Sequence, residues 1–385
     1  MNSYDRNLGL LIEEHLSWFP VVAMLGPRQC GKTTLALQIA ERFPGALYLD
    51  MESPKDHGKL DDAELFLEAL QGQLLIIDEV QRRPSLFPVL RSFVDKTKGK
   101  SPVLILGAAS RDLLQQSSES LAGRISYLQL TPFLLCEVSD IPLYQHWSRG
   151  GFPRSLLTPK DSLSMAWRHN YIQTFLERDL PQLGLKLPLP RLQRLLQLLA
   201  HSHGELLNSS KLGGVLGVTH NTFRTYVDFM EQSFVIRTLP PYESNQKKRL
   251  AKSPKTYFRD SGILHALLDL PSFDSILGHP CQGASWEGFA LEQILSALPD
   301  GWRASFYRTQ VGAELDLVLE KGERRIGIEF KASMSPTVTR GFWICLDDLA
   351  ITESWIICPI EDLYPFKKDT KVAGIKQFLA TILNA

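Results

Sequence analysis

The first third of the chain alternates short apolar runs with longer segments that are apolar on one face only. Runs of this length between polar turns are typical of buried strands, and the segments between them have the period of amphipathic helices. Strands that alternate with helices form parallel sheets covered by helices. The pattern predicts an α/β domain over residues 1–135, with strands at residues 20–25, 46–51, 73–78, 102–107 and 125–130.

The pattern changes after residue 135. Residues 136–187 are helical, with a turn at 149–153 before a long helix, and they predict a helical lid. Residues 188–260 predict three helices followed by a strand, which is the outline of a winged helix-turn-helix. Residues 261–385 predict a second α/β domain, with a helix near 284–298 and strands at 305–309, 313–320, 324–332 and 354–360.

Length and composition agree with several folded domains. The chain has 385 residues, against about 150 for an average domain. Apolar residues make up 44% and charged residues 22%, which excludes a mostly disordered chain. The 42 basic residues equal the 42 acidic residues in number, so any nucleic-acid surface has to be a local patch.

The sequence predicts a cytoplasmic protein with no membrane partner. No apolar run approaches the roughly 18 residues that a membrane helix needs, and the first residues lack the pattern of a signal peptide. Without paired CxxC spacing, the cysteines predict reduced thiols rather than disulfides or a zinc ribbon. They are Cys30, Cys136, Cys281, Cys345 and Cys358.

A phosphate-binding loop is the strongest chemical signal. A GxxxxGK[ST] motif lies between an apolar strand and a helix, which is the context that such a loop requires. Its glycines let backbone N–H groups surround phosphate oxygens; Lys32 is expected to neutralise the β and γ phosphates, and the Thr33 hydroxyl to bind Mg²⁺. The residues expected to contact nucleotide are Gly26, Pro27, Arg28, Gln29, Cys30, Gly31, Lys32, Thr33 and Thr34.

Two adjacent acids, Asp78 and Glu79, end the strand at 73–78. A buried parallel strand does not carry acids without a role for them. We expect Asp78 to be a partner of Mg²⁺, and Glu79 to orient or deprotonate the attacking water, an arrangement typical of hydrolysis. The alternative is that both acids simply begin a solvated loop.

Two further residues have positions that suit ATP hydrolysis. Ser110 follows the fourth strand, where a polar sensor of the γ phosphate is expected, although Ala108 and Ala109 occupy the end of that strand. Arg124 precedes the fifth strand, where an arginine finger would point at the nucleotide of a neighbouring subunit in a homo-oligomer. The alternative for Arg124 is a surface or capping residue.

The predicted winged helix suggests a macromolecular partner. Asn221, Thr222 and Arg224 lie near the exposed N-terminal turn of its last helix, the predicted recognition helix. A basic stripe at 237–259 follows, with Glu243 as its single acid before Arg259, and predicts contact with DNA phosphates. Docking of a protein partner remains the alternative. The stripe consists of Arg237, Lys247, Lys248, Arg249, Lys252, Lys255 and Arg259.

The last segment contains acids in a nuclease-like arrangement. Asp316 lies on one predicted strand, Glu329 and Lys331 lie on the next, and Glu287 lies on the preceding helix. Two carboxylates can hold a divalent ion, and a lysine two residues after the second acid shares its face of the strand. Glu314 shares a face with Asp316. The pattern predicts a restriction-endonuclease-like fold with Asp316 and Glu329 as metal ligands; the alternative is an amphipathic strand with its acids in solvent.

Several motifs together resemble a known family. GPRQCGKTTLA, LLIIDEVQ, ESLAGR, LQLTPF and GGFP, followed by TFLERDL, KKRLAKSPKTYFRDSGILHAL, WEGFALEQIL and AELDLVLE…IEFK, are similar to prokaryotic AAA-type ATPases with a C-terminal domain of unknown function. The resemblance spans nearly the whole chain and implies ATP rather than GTP. It also implies that Gly151 and Pro153 face the nucleotide, although a tight turn that starts a helix explains GGFP equally well.

We therefore expect Mg²⁺-dependent ATP hydrolysis by Lys32, Thr33, Asp78 and Glu79, completed by Arg124 across an oligomer interface. The hydrolysis would be coupled to a DNA-binding or protein-binding C-terminal half. Two alternatives are a nucleotide-gated binding switch with slow turnover and an ATP-regulated metal-dependent nuclease.

Overall fold

The computed structural model describes most of the chain, namely residues 4–70, 72–107, 117, 119–243 and 250–383. Their contacts divide the chain into two compact units. The first unit is Met1–Phe133 with Gln232–Phe234, and the second is Leu134–Glu231 with Val235–Ala385.

A five-stranded parallel sheet forms the centre of the first unit. Its strands are β1 (Val21–Leu25), β2 (Leu47–Asp50), β3 (Leu75–Asp78), β4 (Val103–Gly107) and β5 (Ile125–Gln129). All five predicted strands are present, so the predicted α/β class of this part is confirmed. The strand order is β2-β3-β4-β1-β5, which places β4 between β1 and β3. Because all five strands are parallel, their carboxyl ends lie at the same edge of the sheet, where α/β proteins bind ligands.

Three strands of the first unit are buried along their whole length. Every residue of β1, β3 and β4 is buried, as expected for parallel strands covered on both faces. A short 3₁₀ turn, Val80–Arg82, follows β3. The helices described in this unit are Asn7–Trp18, Lys32–Ala40, Pro54–Lys59, Ala63–Glu68 and Leu86–Lys96.

The second unit begins with helices and a small sheet. Its strands β6 (Ile236–Leu239) and β7 (Lys255–Phe258) pair antiparallel after three helices. The winged helix predicted for this part stays a prediction. None of the helices within the described ranges is long and apolar enough to cross a membrane. The helical segments of this part are Leu143–Arg149, Pro153–Leu156, Asp161–Thr174, the π-helical Phe175–Asp179, Leu180–Gln182, Leu189–His201, Ser209–Leu216 and His220–Gln232.

A six-stranded mixed sheet ends the chain and confirms the predicted second α/β part. The strands are β8 (Arg303–Arg308), β9 (Glu314–Lys321), β10 (Arg324–Phe330), β11 (Glu353–Ile357), β12 (Leu363–Pro365) and β13 (Lys371–Ala373). Their order is β12-β13-β11-β10-β9-β8. β8, β9 and β10 are antiparallel neighbours, and β11 runs parallel to β10. The accompanying helices are Ser261–Leu267, Phe273–Leu277, Gln282–Ala297, Arg340–Asp348 and Ile375–Leu383.

One apolar core runs through the second unit. Trp147 from the helical part, Tyr257 from β7, and Trp286 and Trp355 from the mixed-sheet part belong to the same buried cluster. Trp147 Nε1 also donates a hydrogen bond of 2.9 Å to Ser285 Oγ. The helical part, the β6–β7 pair and the mixed sheet therefore share a core, and the predicted boundaries at residues 187 and 260 stay a prediction.

A buried carboxylate joins the turn at 149–153 to the helix Ser261–Leu267. Asp260 accepts hydrogen bonds from the Gly151 N–H at 2.8 Å and the Ile263 N–H at 2.9 Å. A Cβ atom at Gly150 would lie 2.1 Å from Asp260 Oδ1, so only glycine permits this approach. Burial raises the pKa of Asp260 to about 6, although the two N–H groups act to lower it. The shape of the turn depends on this carboxylate.

Replacing Asp260 with Ala is expected to lower the free energy of unfolding by at least about 3 kcal/mol. The reason is that two buried N–H groups lose their acceptor and the buried Arg168 guanidinium loses a nearby negative charge. Urea denaturation followed by circular dichroism measures the change. Asp228→Ala, at an exposed helical position, is the control and should change stability by less than about 0.5 kcal/mol. Similar effects of both substitutions would contradict this role of Asp260.

Candidate functional site

The predicted phosphate-binding loop lies between β1 and the helix Lys32–Ala40. A Cβ atom at Gly26 would lie 2.3 Å from the Leu130 carbonyl oxygen, so the loop passes the end of β5 only because residue 26 is glycine. Gly31 has a φ of 106°, a value that side chains other than glycine rarely adopt. Gly31 immediately precedes the helix, whose first backbone N–H groups can therefore face an anion.

Lys32 is folded over the loop. Its ammonium donates hydrogen bonds of 2.9 Å to the carbonyl oxygens of both Gly26 and Pro27. The residue is only 7% exposed, so its charge is held inside the loop rather than in solvent. Phosphate oxygens in the loop would offer this ammonium stronger, charged acceptors than the two carbonyls. The arrangement fits the predicted role in nucleotide binding.

Asp78 is fixed by three donors at the end of β3. Its Oδ2 accepts hydrogen bonds from Thr33 Oγ1 at 2.7 Å and Tyr48 OH at 2.8 Å, and its Oδ1 accepts one from the Glu79 N–H at 2.9 Å. Burial raises the pKa of the Tyr48 phenol, and the hydrogen bond to Asp78 raises it further. Tyr48 therefore remains a donor at neutral pH. The hydroxyl and carboxylate oxygens of Thr33 and Asp78 are the ligand types that Mg²⁺ prefers, so they fit the predicted ion.

Glu79 has a left-handed backbone, with a φ of 52°. For a residue other than glycine this conformation costs on the order of 1 kcal/mol and is common at functional sites. Its carboxylate accepts a hydrogen bond from Gln81 Nε2 in the 3₁₀ turn. The hydrogen bond from Gln81 positions the Glu79 carboxylate just beyond Asp78.

Four carboxylates gather on the mixed-sheet part; Glu287, Glu314, Asp316 and Glu329 are called here the acidic cluster. The ammonium of Lys255, on β7, lies 3.0 Å from Glu287 Oε1, 2.7 Å from Glu314 Oε1 and 3.7 Å from Asp316 Oδ1. Asp316 Oδ2 accepts the Phe330 N–H at 2.9 Å. Lys255 thus lies among three acids of the cluster and offsets part of their negative charge.

Burial also changes the proton affinity of the acidic cluster. Burial, together with the nearby Asp316 charge, raises the pKa of Glu287 to about 7 and that of Glu329 to about 8. Lys331 Nζ lies 2.7 Å from Glu329 Oε1 and opposes the increase at Glu329. Across the described residues, no three His, Cys, Asp or Glu side chains are arranged to hold a metal ion. The metal role of Asp316 and Glu329 stays a prediction.

The comparisons with known proteins divide the chain into three consecutive matches. Residues 19–139 match a family described as an AAA domain. Residues 142–274 and 282–378 match families described as domains of unknown function, DUF8612 and DUF4143 respectively. Uncharacterized proteins of Mycobacterium tuberculosis and Mycobacterium bovis are each 41% identical over 376 residues, which covers 98% of this chain and 85% of theirs.

The chain belongs to the family of AAA-type ATPases with a C-terminal domain of unknown function. This confirms the resemblance that the sequence motifs indicated. The first unit of this AAA-type protein is accordingly a nucleotide-binding P-loop domain.

Similar solved structures are much more distant. The Walker-type ATPase PABY2304 of Pyrococcus abyssi is 15% identical, with a TM-score of 0.47, and covers 69% of this chain and 96% of that chain. An Aeropyrum pernix Orc1 protein in complex with DNA is 11% identical, with a TM-score of 0.31, covering 72% of this chain and 95% of that chain. Likeness at this level does not extend to function.

The other predicted nucleotide contacts have different surroundings. Arg124 forms a two-pronged ion pair with Asp95, through Nε at 2.6 Å and Nη2 at 3.0 Å. The hydrogen bond between them raises the pKa of Arg124 and lowers that of Asp95. A role as an arginine finger would require this pair to open. Ser110, Ala108 and Ala109 lie outside the described residues.

Within the second unit, Gly151 and Pro153 serve the turn itself. The Gly151 N–H is donated to Asp260, and Pro153 occupies the first turn of a short helix. Proline suits that position because it has no N–H to satisfy. Their predicted contact with nucleotide stays a prediction.

The basic stripe is partly neutralised inside the second unit. Arg237 and Arg259 both form ion pairs of 2.6 Å with the buried Glu292, and Lys255 is bound by the acidic cluster. Lys252 is exposed, whereas Lys247, Lys248 and Arg249 lie outside the described residues. In the predicted recognition helix, Asn221 and Arg224 are exposed and Thr222 is half-buried.

Sequence reasoning missed two residues of the P-loop domain. Tyr48 was hidden in an apolar strand, and only its polar hydroxyl in a buried run hinted at a partner. Arg6, which is 8% exposed, donates to the Cys30 carbonyl at 3.1 Å and to the Thr131 carbonyl at 2.6 Å, and its guanidinium lies 4.8 Å from the centre of the Phe133 ring. No motif marked Arg6, because its partners are far away in sequence.

Replacing Lys32 with Ala is expected to weaken ATP binding in the presence of Mg²⁺ by at least about a hundredfold, because the charge that offsets the β and γ phosphates is lost. Isothermal titration calorimetry measures the affinity. Lys55→Ala removes an exposed lysine of the same unit and should bind ATP like the wild type. Wild-type affinity in the Lys32 variant would contradict the phosphate role.

Proposed function

We propose that this AAA-type protein hydrolyses ATP with Mg²⁺ and couples hydrolysis to DNA or protein binding by its C-terminal half. The observation that carries the proposal is the hydrogen bond of 2.7 Å between Thr33 Oγ1 and Asp78 Oδ2. It brings the hydroxyl that starts the helix and the carboxylate that ends β3 to a single point beside Lys32.

The residues of the chain divide the work. Bound Mg²⁺ would supply charge neutralisation between the β and γ phosphates. Lys32 binds the same phosphates, while Thr33 and Asp78 provide oxygen ligands, and Tyr48 holds the Asp78 carboxylate in place. The precise orientation of Asp78 is what this network contributes, because a displaced ligand would misplace the terminal phosphate.

Glu79 is the proposed residue that acts on water. Its position directly after Asp78 places a second carboxylate at the same edge of the sheet, and its hydrogen bond from Gln81 fixes the side chain. A carboxylate there accepts a proton from water or orients it for attack on the γ phosphate. Lys32 and Asp78 serve nucleotide binding, whereas Glu79 acts in hydrolysis. A substitution of Glu79 can therefore remove hydrolysis without removing binding.

Replacing Glu79 with Gln should leave ATP affinity within about threefold of the wild type and lower the turnover number by at least about a hundredfold. The carboxamide keeps the size of the side chain but cannot take a proton. Steady-state phosphate release, with calorimetry for binding, separates the two quantities. Glu64→Gln, at an exposed helical position, should change neither. Unchanged turnover in Glu79→Gln would exclude Glu79 as the residue that acts on water.

A nucleotide-gated switch with slow turnover is the second candidate. The ion pair between Arg124 and Asp95 favours it, because Arg124 would have to leave this partner before it could assist hydrolysis in a neighbour. In a switch, bound ATP changes partner affinity and hydrolysis only times its release. Turnover of the wild type with and without DNA discriminates the two, since a coupled enzyme is stimulated and a timing switch is not.

The acidic cluster supports a third candidate, an ATP-regulated metal-dependent nuclease. Its acids come from a helix and two adjacent strands, so side chains distant in sequence lie together. Cleavage of DNA with Mn²⁺ that is lost in Asp316→Ala would support this candidate.

DNA is the partner that the remaining basic residues favour. Lys252 and Arg224 are exposed, and Lys247, Lys248 and Arg249 add three positive charges to the same stripe of the sequence. Contacts of this kind recognise phosphates and not bases. We therefore propose sequence-independent binding, with a protein partner as the alternative.

Replacing Lys247, Lys248 and Arg249 with Glu should weaken binding of all DNA sequences by at least about tenfold and flatten its dependence on salt, because up to three phosphate contacts are lost. Fluorescence anisotropy at several salt concentrations measures both. The control changes three exposed lysines of the first unit to Glu, with the same change in net charge: Lys96, Lys98 and Lys100. Equal loss in both variants, or no DNA binding by the wild type at low salt, would favour a protein partner.

A further inference from the structure

Lys255 is the most deeply enclosed cation beside the acidic cluster. It is 3% exposed, and its ammonium lies within 4 Å of Glu287, Glu314 and Asp316. Three carboxylates from a helix and a strand thus share a single positive charge. This geometry makes Lys255 part of the cluster and removes it from the surface that a phosphate backbone could contact.

An ammonium and a divalent cation require the same oxygens. A hard divalent cation is bound by several carboxylate oxygens at about 2.0 to 2.6 Å, and the oxygens nearest Lys255 belong to the acids that would supply them. The two cations cannot share the position, because like charges a few ångströms apart repel strongly in a buried setting. Occupancy by Lys255 therefore opposes occupancy by a metal ion.

Glu329 adds an independent sign that the cluster can accept more positive charge. The residue is 6% exposed, and its Oε1 is bound by Lys331 Nζ at 2.7 Å. Its Oε2 is buried and has no hydrogen-bond partner among the described residues. A buried carboxylate oxygen without a partner is costly, so the cluster carries more negative charge than Lys255 and Lys331 offset.

We propose that Lys255 is the resident cation of the acidic cluster and that it keeps a latent divalent-cation site closed. While the ammonium is present, no three acids among the described residues are arranged to hold a metal ion. With the ammonium removed, Glu287, Glu314 and Asp316 bind one divalent cation such as Mn²⁺ in its place. The inference concerns the same site as the nuclease candidate. It rests on that candidate only for what a bound cation would do, and not for the binding itself.

The strand that carries Lys255 sets the condition for opening the site. β7 also carries Tyr257, whose hydroxyl donates to the same Glu287 oxygen that faces Lys255. One strand therefore delivers two of the donors that hold the cluster. A displacement of β7 would remove both donors at once and leave the carboxylates free for a metal ion.

Titration of the nucleotide-free full-length protein with Mn²⁺ tests the proposal. In Lys255→Met, which keeps the apolar stem and removes the charge, Mn²⁺ should bind at least about tenfold more tightly than in the wild type, and the gain should disappear in Lys255→Met/Asp316→Asn. Calorimetry gives the affinity, and the shift of the thermal unfolding midpoint on adding Mn²⁺ gives a second readout. Lys321→Met, which removes an exposed lysine from β9, is the matched control and should behave like the wild type.

Two results of the titration would overturn the proposal. One is Lys255→Met that binds Mn²⁺ no more tightly than the wild type. The other is a wild type that already binds Mn²⁺ in a manner that Asp316→Asn abolishes, a comparison that needs no Lys255 variant and remains decisive if that variant fails to fold. Thr33→Ala identifies any Mn²⁺ bound at the phosphate loop.

Cleavage is measured separately. Gain of Mn²⁺ binding in Lys255→Met without any cutting of DNA would support the closed site and reject the nuclease candidate. If the wild type, with Lys255 in place, cuts DNA and Asp316→Ala abolishes the cutting, the nuclease is supported and the closed site is rejected.

Discussion

A carboxylate withdrawn from water has to receive hydrogen bonds or an opposite charge, and each important region of this chain is organised around one. Asp78 receives three donors at the end of β3. Asp260 receives two backbone N–H groups, and Glu292 receives two arginines. The acidic cluster receives Lys255. Because an unpaired buried charge costs several kcal/mol, these partners decide which segments lie together.

Features that depend on residues close together in the sequence could be predicted from it. The five strands of the first sheet were visible as apolar runs, and the phosphate loop was visible because its glycines and its lysine are adjacent along the chain. Asp78 and Glu79 followed from the strand that they end. The partners of buried carboxylates were not predictable in this way: Tyr48 meets Asp78 only because β2 lies beside β3.

The basic stripe shows the same limit from the opposite direction. As a run of letters it indicated one positively charged surface. In the fold, Arg237 and Arg259 form ion pairs with Glu292, and Lys255 forms ion pairs with acids of the acidic cluster. All of these acids lie more than 30 residues further along the chain than their basic partners. Charge counted along a sequence overstates the charge available to a partner when part of it is internally paired. The part of the stripe with exposed charge is correspondingly smaller.

Arg6 affects where a fragment that contains the P-loop domain should begin. Its guanidinium bridges the carbonyl that precedes Gly31 and the carbonyl of Thr131, just beyond β5. The ends of the nucleotide-binding domain are thereby fastened to each other through one side chain near its amino terminus. A fragment trimmed to begin at β1 would keep every nucleotide motif yet lose this clasp, so domain limits chosen from motifs alone would cut away part of what holds the phosphate loop in shape.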